Sequence, residues 1–335
     1  MIAGLPDQLP AVAILIPTYN RRALLGEAIA SAQRQTYAGP LQIIVLDDHS
    51  PDDTAAAVEP FLSDPRVRYV RHPINVGIAR NWQIGIGLVE GNYFCLLHDD
   101  DTFEPTFVER LVVPLLADPD LILSFSDHWV MSANGVRLPA ESDAASVQFH
   151  RSALPPGPVE DFARVALVDL AIPVGATVFR RSMVTPDLVD PAAKGASDVW
   201  LLYQCVRTAK HATYVDDRLM NYRLHPGSMS SGMPLQMTPG HIHRLTTALS
   251  DTHVQRLWPE FRRQLGDARV GQGAALLAIG HLAAAKAELR KAAFEYPTAR
   301  GLTMLVAVYM GRPGQLMVRA VRRIKRSALS IVKHR

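Results

Sequence analysis

Short apolar runs of strand length alternate with helical patterns between residues 12 and 125, and this alternation constrains the fold most strongly. The runs lie at 12–16, 41–46, 67–70, 93–97 and 121–125. Strand followed by helix, repeated along a chain, is typical of parallel βαβ construction. The sequence therefore predicts an α/β fold, with a mostly parallel, Rossmann-like central sheet that is flanked by helices.

Polar residues follow the predicted strands at the points where the strands end. Asn20 follows the first strand, Asp48 the second and Asp100 the fourth. The carboxyl ends of parallel strands share one edge of a sheet, and ligands bind there in open α/β folds. The sequence thus predicts a nucleotide-binding crevice at this edge. It also predicts that Asn20 caps the next helix, whose apolar face contains Leu25, Ala28, Ile29 and Ala32.

Three adjacent carboxylates, Asp99, Asp100 and Asp101, come directly after the run at 93–97. Like charges in a row repel, and an ordered site accommodates them best when a cation bridges them. Ligand sets made only of oxygen favour Mg²⁺ or Mn²⁺ over zinc. The alternative, a solvated acidic turn that caps the following helix, stays open at this point.

A second group of polar residues lies further along the chain. Asp198 precedes an apolar run and is predicted near a helix start, where the helix dipole favours its ionised form. The segment 222–228 reads as a strand that leaves into a turn, and it contains His225. Residues 132–160 have weak periodicity, which predicts a long loop or an insertion.

Composition places the chain among ordinary globular proteins. It has 335 residues, of which 48% are hydrophobic and 20% charged. Two cysteines, Cys95 and Cys205, are too few for a disulfide framework and indicate a reducing compartment. We find neither a secretion signal nor an apolar run of the ~18 residues that a membrane-spanning helix needs. A cytoplasmic location is the expectation.

Charge is distributed unevenly along the chain. Nine of the 35 basic residues, and none of the 32 acidic ones, follow Glu295. On a helix over 316–333 most of them share one face, which predicts a basic amphipathic helix. It either contacts an anionic membrane through 312–335 or packs its apolar face on the protein. We expect two domains, a binding and catalytic domain at 1–235 and a helical C-terminal region at 236–335.

The polar motifs resemble, in order and spacing, those of glycosyltransferase family 2 with the GT-A fold. The resemblance covers about residues 10–230, and no single motif would suffice for it. The motifs are Pro17-Thr18-Tyr19-Asn20, Asp47-Asp48, Asn75-Val76-Gly77 with Arg80-Asn81, the aspartates 99–101, and Asp198.

This resemblance implies a nucleotide-sugar site. The residues that it assigns to the nucleotide and the donor are Pro17, Thr18, Tyr19, Asp48, Arg80, Asn81 and Asp99. Asp47 is expected to support the strand end instead of touching ligand. The donor implied is a nucleoside-diphosphate sugar, UDP- or dTDP-linked, and no nucleic-acid partner is implied.

The resemblance also implies a divalent metal, Mn²⁺ or Mg²⁺. Asp100 matches the metal-binding carboxylate, with Asp101 and His225 as further candidate ligands. His98 stands where the family most often has its first aspartate, so the division of roles among the three aspartates stays open.

Asp198 matches the family's catalytic base, which implies inversion at the anomeric carbon. The Gln-x-x-Arg-Trp motif of processive members does not follow it, which favours transfer of a single sugar. The acceptor implied is a glycan or lipid-linked glycan in bacterial surface polysaccharide or glycoconjugate assembly.

Two other functions compete with transfer of a sugar. The first is a catalytically degenerate subunit that binds nucleotide sugar or acts as a scaffold, against which the presence of Asp48, Asp100 and Asp198 argues. The second is sugar nucleotidyl transfer, which usually needs a Gly-rich, lysine-bearing phosphate loop near the amino terminus. The segment 17–22 contains no glycine, so this function is disfavoured.

Overall fold

A computed structural model describes residues 8–209, 211–225, 227, 234–297 and 299–310. The chain divides into two compact units, Met1–Met233 and Pro234–Arg335. The basic amphipathic helix predicted over 316–333 lies outside the described residues.

The first unit contains strands and helices in alternation. Its strands are β1 (Val12–Thr18), β2 (Leu41–Asp47), β3 (Val67–Arg71), β4 (Tyr93–Leu96), β5 (Thr102–Phe103), β6 (Leu121–Met131), β7 (Gly157–Pro158), β8 (Thr177–Arg180) and β9 (His211–Arg223). Its helices are α1 (Arg22–Gln33), α2 (Thr54–Val58), α3 (Ile78–Gly87), α4 (Phe107–Ala117), α5 (Pro139–Gln148), α6 (Phe162–Leu167) and α7 (Ser197–Thr208).

The strands form one nine-stranded sheet within the described residues, in the order β3-β2-β1-β4-β8-β6-β9-β5, with β7 paired to β9. Strands β1 to β4 run parallel to one another. Beyond β4 the sheet is mixed, since β8 is antiparallel to both β4 and β6 whereas β6 and β9 are parallel. The predicted α/β sheet flanked by helices is confirmed.

Burial explains why the first strands form the centre of the sheet. Ala13, Ile14 and Leu15 in β1 have no exposed surface, which is typical of a parallel strand covered by helices on both faces. The predicted apolar face of α1 is confirmed, because its four members are fully buried. Cys95 and Cys205 are buried and unpaired.

One sequence-based prediction about local structure was wrong. Helix α1 has Arg21 at its N-cap, without a side-chain capping hydrogen bond, while Asn20 adopts a left-handed φ of 55° one residue earlier. The Asn20 backbone N–H donates to Ser50 Oγ over 2.9 Å, so the turn is held by the next strand–helix connection. The segment 132–160 is not a plain loop, since it contains α5, which begins at a proline.

The second unit is helical, with α8 (Pro234–Ala248), α9 (Trp258–Ala278), α10 (Leu282–Arg290) and α11 (Ala299–Tyr309). Its small apolar core includes Val270, Leu289 and Leu305. None of the helices in the described part of the chain combines the length and the apolar character needed to cross a bilayer.

Candidate functional site

The structure brings the ends of three parallel strands together. Thr18 ends β1 and is in register with Asp47, which ends β2. The Thr18 hydroxyl donates to Asp99 Oδ2 over 2.8 Å, and Asp99 follows β4 by three residues. Thr18 and Asp99 are only 3% and 5% exposed, so this hydrogen bond joins two strand ends inside the protein.

Asp48 is anchored by backbone N–H groups. Its Oδ1 accepts from Val76 over 2.6 Å and its Oδ2 from Gly77 over 2.9 Å, while the Asn75 side chain donates to its carbonyl. Gly77 has a φ of 81°, which suits glycine and turns both N–H groups of the loop toward the carboxylate. Among the described residues, the side-chain oxygens of Asp48 thus accept from backbone N–H groups and form no salt bridge.

Asp47 has a supporting role, as predicted from the sequence. Its side chain accepts from the Ser50 backbone and from the Tyr69 hydroxyl, and it is 1% exposed. These contacts hold the turn after β2 against β3. Burial and hydrogen bonding to Asp47 raise the pKa of Tyr69.

The predicted donor-lining residues face different surroundings. Tyr19 is 48% exposed at the edge, and Arg80 is exposed and donates to Gln83 Oε1 within α3. Asn81 is 2% exposed, and its amide bridges the Leu46 carbonyl and His72. The donor role of Asn81 stays a prediction, and these contacts favour a structural role.

The three consecutive aspartates 99–101 form an acidic run. Arg21 and His225, which lie near opposite ends of the first unit's sequence, both contact it. Arg21 Nη1 donates to Asp99 Oδ1 over 3.1 Å and also to Asp100 Oδ2. His225 Nε2 lies 3.0 Å from the same Asp100 oxygen. Arg21 Nη2 donates to the Gly227 carbonyl over 2.9 Å, which ties the end of β1 to the segment after β9.

Asp101 faces inward. Its Oδ1 accepts from the Arg223 backbone N–H over 2.9 Å, and its Oδ2 lies 3.3 Å from His98 Nδ1. The Arg223 guanidinium in turn donates to the Asp100 carbonyl and to Glu27. The role of Asp101 as a metal ligand stays a prediction, and these contacts favour a supporting one.

Mutual repulsion and burial shift the pKa values of the groups in the acidic run. Burial and the charge of Asp100 raise the pKa of Asp99 to about 6, although Arg21 and Thr18 act in the opposite direction. Burial alone would raise the pKa of Asp100, but the positive charges of His98, Arg21 and His225 hold it below its usual value. Burial alone would lower the pKa of His98, but the three aspartates raise it to about 9.

The fit to a divalent cation rests on these contacts. Asp99 and Asp100 both accept from Arg21 Nη1, and His225 Nε2 lies 3.0 Å from Asp100 Oδ2. The oxygens and the nitrogen are donor types that Mn²⁺ accepts. Among the described residues, however, no group of three or more His, Cys, Asp or Glu side chains is arranged to hold a metal ion. The Arg21 guanidinium already contacts both aspartates. The donor atoms are thus of the types that a divalent cation binds, and a cationic side chain is hydrogen-bonded to two of the carboxylates.

Asp198 lies in the first turn of α7, as predicted. Its Oδ1 is buried and, in the part of the chain that the structure describes, has no hydrogen-bond partner. The segment before α7 is held by Gln83 in α3, which donates to the Val189 carbonyl over 2.6 Å. The same helix carries Trp82, whose ring stacks on His98. Helix α3 therefore connects the acidic run with the start of α7.

The sequence predictions missed Arg21 and Arg223. Arg21 directly follows the polar motif at the end of β1, and this position was the one available signal for its contact with the strand-end carboxylates. Arg223 ends β9, two residues before His225, and is 2% exposed. A buried arginine in a strand predicts an acidic partner but does not identify which one.

Residues 13–154 match the family model described as glycosyl transferase family 2. The chain is 36% identical over 95 residues to a GalNAc(5)-diNAcBac-PP-undecaprenol beta-1,3-glucosyltransferase of Campylobacter jejuni, which is 28% of this chain and 30% of that protein. The chain spans about a third of the length of the first curated relatives that it matches.

Solved structures share the fold at low identity. S. aureus TarS 1-349 in complex with UDP-GlcNAc superimposes with a TM-score of 0.61 at 14% identity, covering 90% of this chain and 92% of that one. The mannosyltransferase PcManGT from Pyrobaculum calidifontis, in complex with GDP-Man and Mn2+, superimposes with a TM-score of 0.58 at 16% identity and covers 93% and 84%. These similarities confirm the expected GT-A fold.

The motifs at Thr18, Asp48 and Asp99 lie at the ends of neighbouring parallel strands, and the family model spans every motif except Asp198. Over residues 13–154 the chain is therefore similar to glycosyltransferase family 2, and it shares its fold with solved glycosyltransferase structures.

Proposed function

We propose that the protein is an inverting, metal-dependent glycosyltransferase that moves one sugar from a UDP- or dTDP-linked donor to an acceptor hydroxyl. One observation carries this proposal: Thr18, Arg21 and His225 converge on Asp99 and Asp100 at the carboxyl edge of the parallel strands. Buried carboxylates held at this edge suit a ligand that brings phosphate and metal. The proposed catalytic domain is 1–235.

Donor binding is assigned to the edge of the parallel strands. Asp48, with both oxygens held by backbone N–H groups, accepts hydrogen bonds from the nucleobase and ribose, and the exposed Tyr19 ring stacks beside them. Pro17 and Thr18 shape this pocket, and Arg80 extends toward the diphosphate. The anchored carboxylate does not reorganise when the donor binds.

Asp100, with Asp99 and His225, is proposed to hold a divalent cation. When bound, the cation stabilises the negative charge that develops on the departing diphosphate. Before donor binding, the same carboxylates are balanced by Arg21 and His225.

Asp198 is proposed as the general base. Its carboxylate takes the proton of the acceptor hydroxyl as that oxygen bonds to the anomeric carbon, and the bond to the diphosphate oxygen breaks on the opposite face. A buried oxygen without a partner among the described residues is available to accept that proton.

The acceptor proposed is a glycan or lipid-linked glycan in surface polysaccharide or glycoconjugate assembly. The Campylobacter relative, whose name specifies a glycan on PP-undecaprenol, supports this choice. Peripheral contact of 312–335 with the cytoplasmic face of a membrane is part of the proposal. Co-sedimentation with anionic liposomes tests it: removal of 312–335 should abolish pelleting, and equal pelleting of both proteins would refute the membrane contact.

Nucleotide binding is the first test. UDP, dTDP, GDP and CDP are compared by thermal shift, each with Mn²⁺ or EDTA. A ligand at ~100 times its dissociation constant adds about 2.7 kcal/mol to the free energy of unfolding, a shift of a few degrees. We expect a shift with UDP or dTDP that needs Mn²⁺ and is lost in Asp100→Ala. The matched control is Asp53→Ala, which removes an exposed carboxylate that is paired with Arg22.

Turnover separates an enzyme from a degenerate binding or scaffolding subunit. Release of nucleoside diphosphate from the donor found by thermal shift is measured for wild type and Asp198→Asn. General-base catalysis contributes about 10²–10⁴-fold, so the variant should lose at least 10²-fold in turnover and keep its thermal shift with nucleotide. Nucleotide binding without any turnover in wild type would support the binding subunit instead.

A further inference from the structure

Arg21 occupies the position of a counter-cation in the acidic run. A single nitrogen, Nη1, donates to both Asp99 and Asp100, and the second nitrogen of the guanidinium donates to Gly227. Among the described residues Arg21 is the one basic side chain with salt bridges to both of these aspartates. The pair of carboxylates is therefore bridged by a charge that belongs to the chain itself.

The surroundings of Arg21 show how exchangeable this bridge is. Its side chain is 25% exposed, whereas those of Asp99 and Asp100 are 7% and 11% exposed. The carboxylates are thus held in the protein while the cation reaches them from the solvent side. Other groups on the pair are the Thr18 hydroxyl on Asp99 and His225 on Asp100. Neither of them bridges the two aspartates.

A guanidinium bound to a carboxylate offsets its negative charge and so weakens its attraction for a divalent cation. Asp100 Oδ2 accepts from Arg21 Nη1, and this oxygen is the one that His225 also approaches. An arriving metal ion therefore competes with Arg21 for the charge of Asp100. A nucleoside diphosphate offers the displaced guanidinium a new anionic partner, since arginine binds phosphate through charge-assisted hydrogen bonds.

We propose that Arg21 is a resident counter-cation that competes with the divalent metal for Asp100 and yields to it when a nucleoside diphosphate is bound. This inference rests on the proposed metal site at Asp100. It assigns to Arg21 two tasks, holding Asp99 and Asp100 together in the empty enzyme and excluding free metal from them. Tight metal binding then requires the nucleotide.

Metal binding without nucleotide tests the competition. Mn²⁺ binding is measured by electron paramagnetic resonance on wild type, Arg21→Gln and the control Arg22→Gln. Arg22 follows Arg21 directly as the first residue of α1 and is paired with the exposed Asp53, so the control removes the same charge nearby. We expect Mn²⁺ to bind at least ~10-fold more tightly to Arg21→Gln and unchanged to Arg22→Gln. Equal affinity of Arg21→Gln and wild type would overturn the proposal.

Thermal stability distinguishes competition from a merely structural role. In EDTA, Arg21→Gln should melt several degrees below wild type because two buried carboxylates lose their counter-charge, and Mn²⁺ should restore most of the loss. The restoration should vanish in Arg21→Gln/Asp100→Asn. A loss that Mn²⁺ does not restore would show that Arg21 only ties β1 to Gly227. If Arg21→Gln does not fold, Arg21→Lys, which keeps the charge, replaces it with a smaller expected gain in Mn²⁺ affinity.

Failure of this inference is distinguishable from failure of the proposed function. If wild type binds Mn²⁺ together with UDP or dTDP, but Arg21→Gln does not gain affinity, only the counter-cation role of Arg21 is refuted. If no nucleotide promotes Mn²⁺ binding to either protein, both the proposed metal site at Asp100 and this inference are refuted.

Discussion

Asp48 and the pair Asp99–Asp100 are buried carboxylates at the same sheet edge, but they are stabilised by different kinds of partner. The oxygens of Asp48 accept from the backbone N–H groups of Val76 and Gly77. Those of Asp99 and Asp100 accept mainly from the side chains of Thr18, Arg21 and His225. Backbone donors are fixed by the fold, whereas side-chain donors move by rotating about single bonds.

This difference separates a rigid part of the site, Asp48, from an exchangeable part, Asp99 and Asp100. A carboxylate with backbone donors keeps its geometry whether or not ligand is present, which suits recognition of the nucleoside. Carboxylates balanced by mobile cations can exchange them, which suits a place where metal and diphosphate arrive and leave. We expect substitutions in the rigid part to act on stability and nucleotide affinity, and substitutions in the exchangeable part to act on metal dependence.

The largest effect is expected for Asp100→Asn, which removes the charge of the exchangeable part at constant shape. Loss of one preorganised electrostatic group at a reacting centre costs on the order of 10²–10³-fold in turnover. Release of nucleoside diphosphate in Mn²⁺ measures it, with Asp53→Asn as the control. Turnover within 3-fold of wild type would remove Asp100 from the proposed metal site.

Asp48→Asn tests the rigid part. The amide presents one N–H₂ group to a backbone N–H that formerly donated to a carboxylate, so the free energy of unfolding should fall by about 2 kcal/mol. Urea denaturation measures the loss, and Asp53→Asn, an exposed position, should leave the value unchanged. Nucleotide affinity in Mn²⁺ should fall, while the Mn²⁺ concentration that nucleotide binding requires should stay that of wild type. A change in this Mn²⁺ requirement would contradict the division between the two parts.

His98 links the exchangeable part to pH. Its pKa of about 9 in the folded protein lies above its ordinary value of 6.5, so protonated His98 stabilises the fold fully below pH 6.5. That contribution is lost as the pH rises through 9. With one third of the side chain exposed, we expect a loss on the order of 2 kcal/mol between pH 6.5 and 9.5.

Urea denaturation in EDTA at both pH values measures this loss, and His98→Gln should flatten the profile. Asp99, whose pKa is raised to about 6, titrates below this window and does not obscure it. A profile that stays equally steep in His98→Gln would assign the loss to another group.

The smallest effect is expected for Gly77→Ala, which strains the loop that anchors Asp48. The φ of Gly77 is 81°, and an added Cβ meets nothing within 4 Å, so the cost is one of backbone conformation alone. It should be about 1 kcal/mol by urea denaturation. Gly271→Ala, in helix α9 with equally open space, should change stability in the opposite direction by up to about 1 kcal/mol. A stability change of the same sign for both substitutions would show that the φ of Gly77 is not the cause of its effect.

Local patterns predicted the elements that form the site's frame. The strand-length runs became β1 to β4 and the start of β6, because uninterrupted apolar residues between polar ends suit strands that are buried on both faces. The apolar face of α1 and the position of Asp198 at the start of α7 also followed from periodicity and flanking residues. These features depend on neighbours within a few residues.

Contacts between distant parts of the chain were not predictable in the same way. Asn20 is of a residue type that is common at helix N-caps, but it adopts a left-handed conformation in a turn that is held by Ser50. Asn81 and Asp101 carry polar groups that suit a ligand, yet their partners are Leu46, His72, Arg223 and His98. Which way such a side chain faces depends on elements that arrive from elsewhere in the sequence.

The sequence by itself determined the α/β alternation, the edge at which polar residues collect, and the family that the motifs resemble. Only the tertiary structure decided which carboxylates are held by the backbone and which by side-chain cations. Arg21 and His225 are about two hundred residues apart, yet both contact Asp100. Periodicity reports the burial of each element, but the pairing of charges depends on strand order and register, which bring those elements side by side.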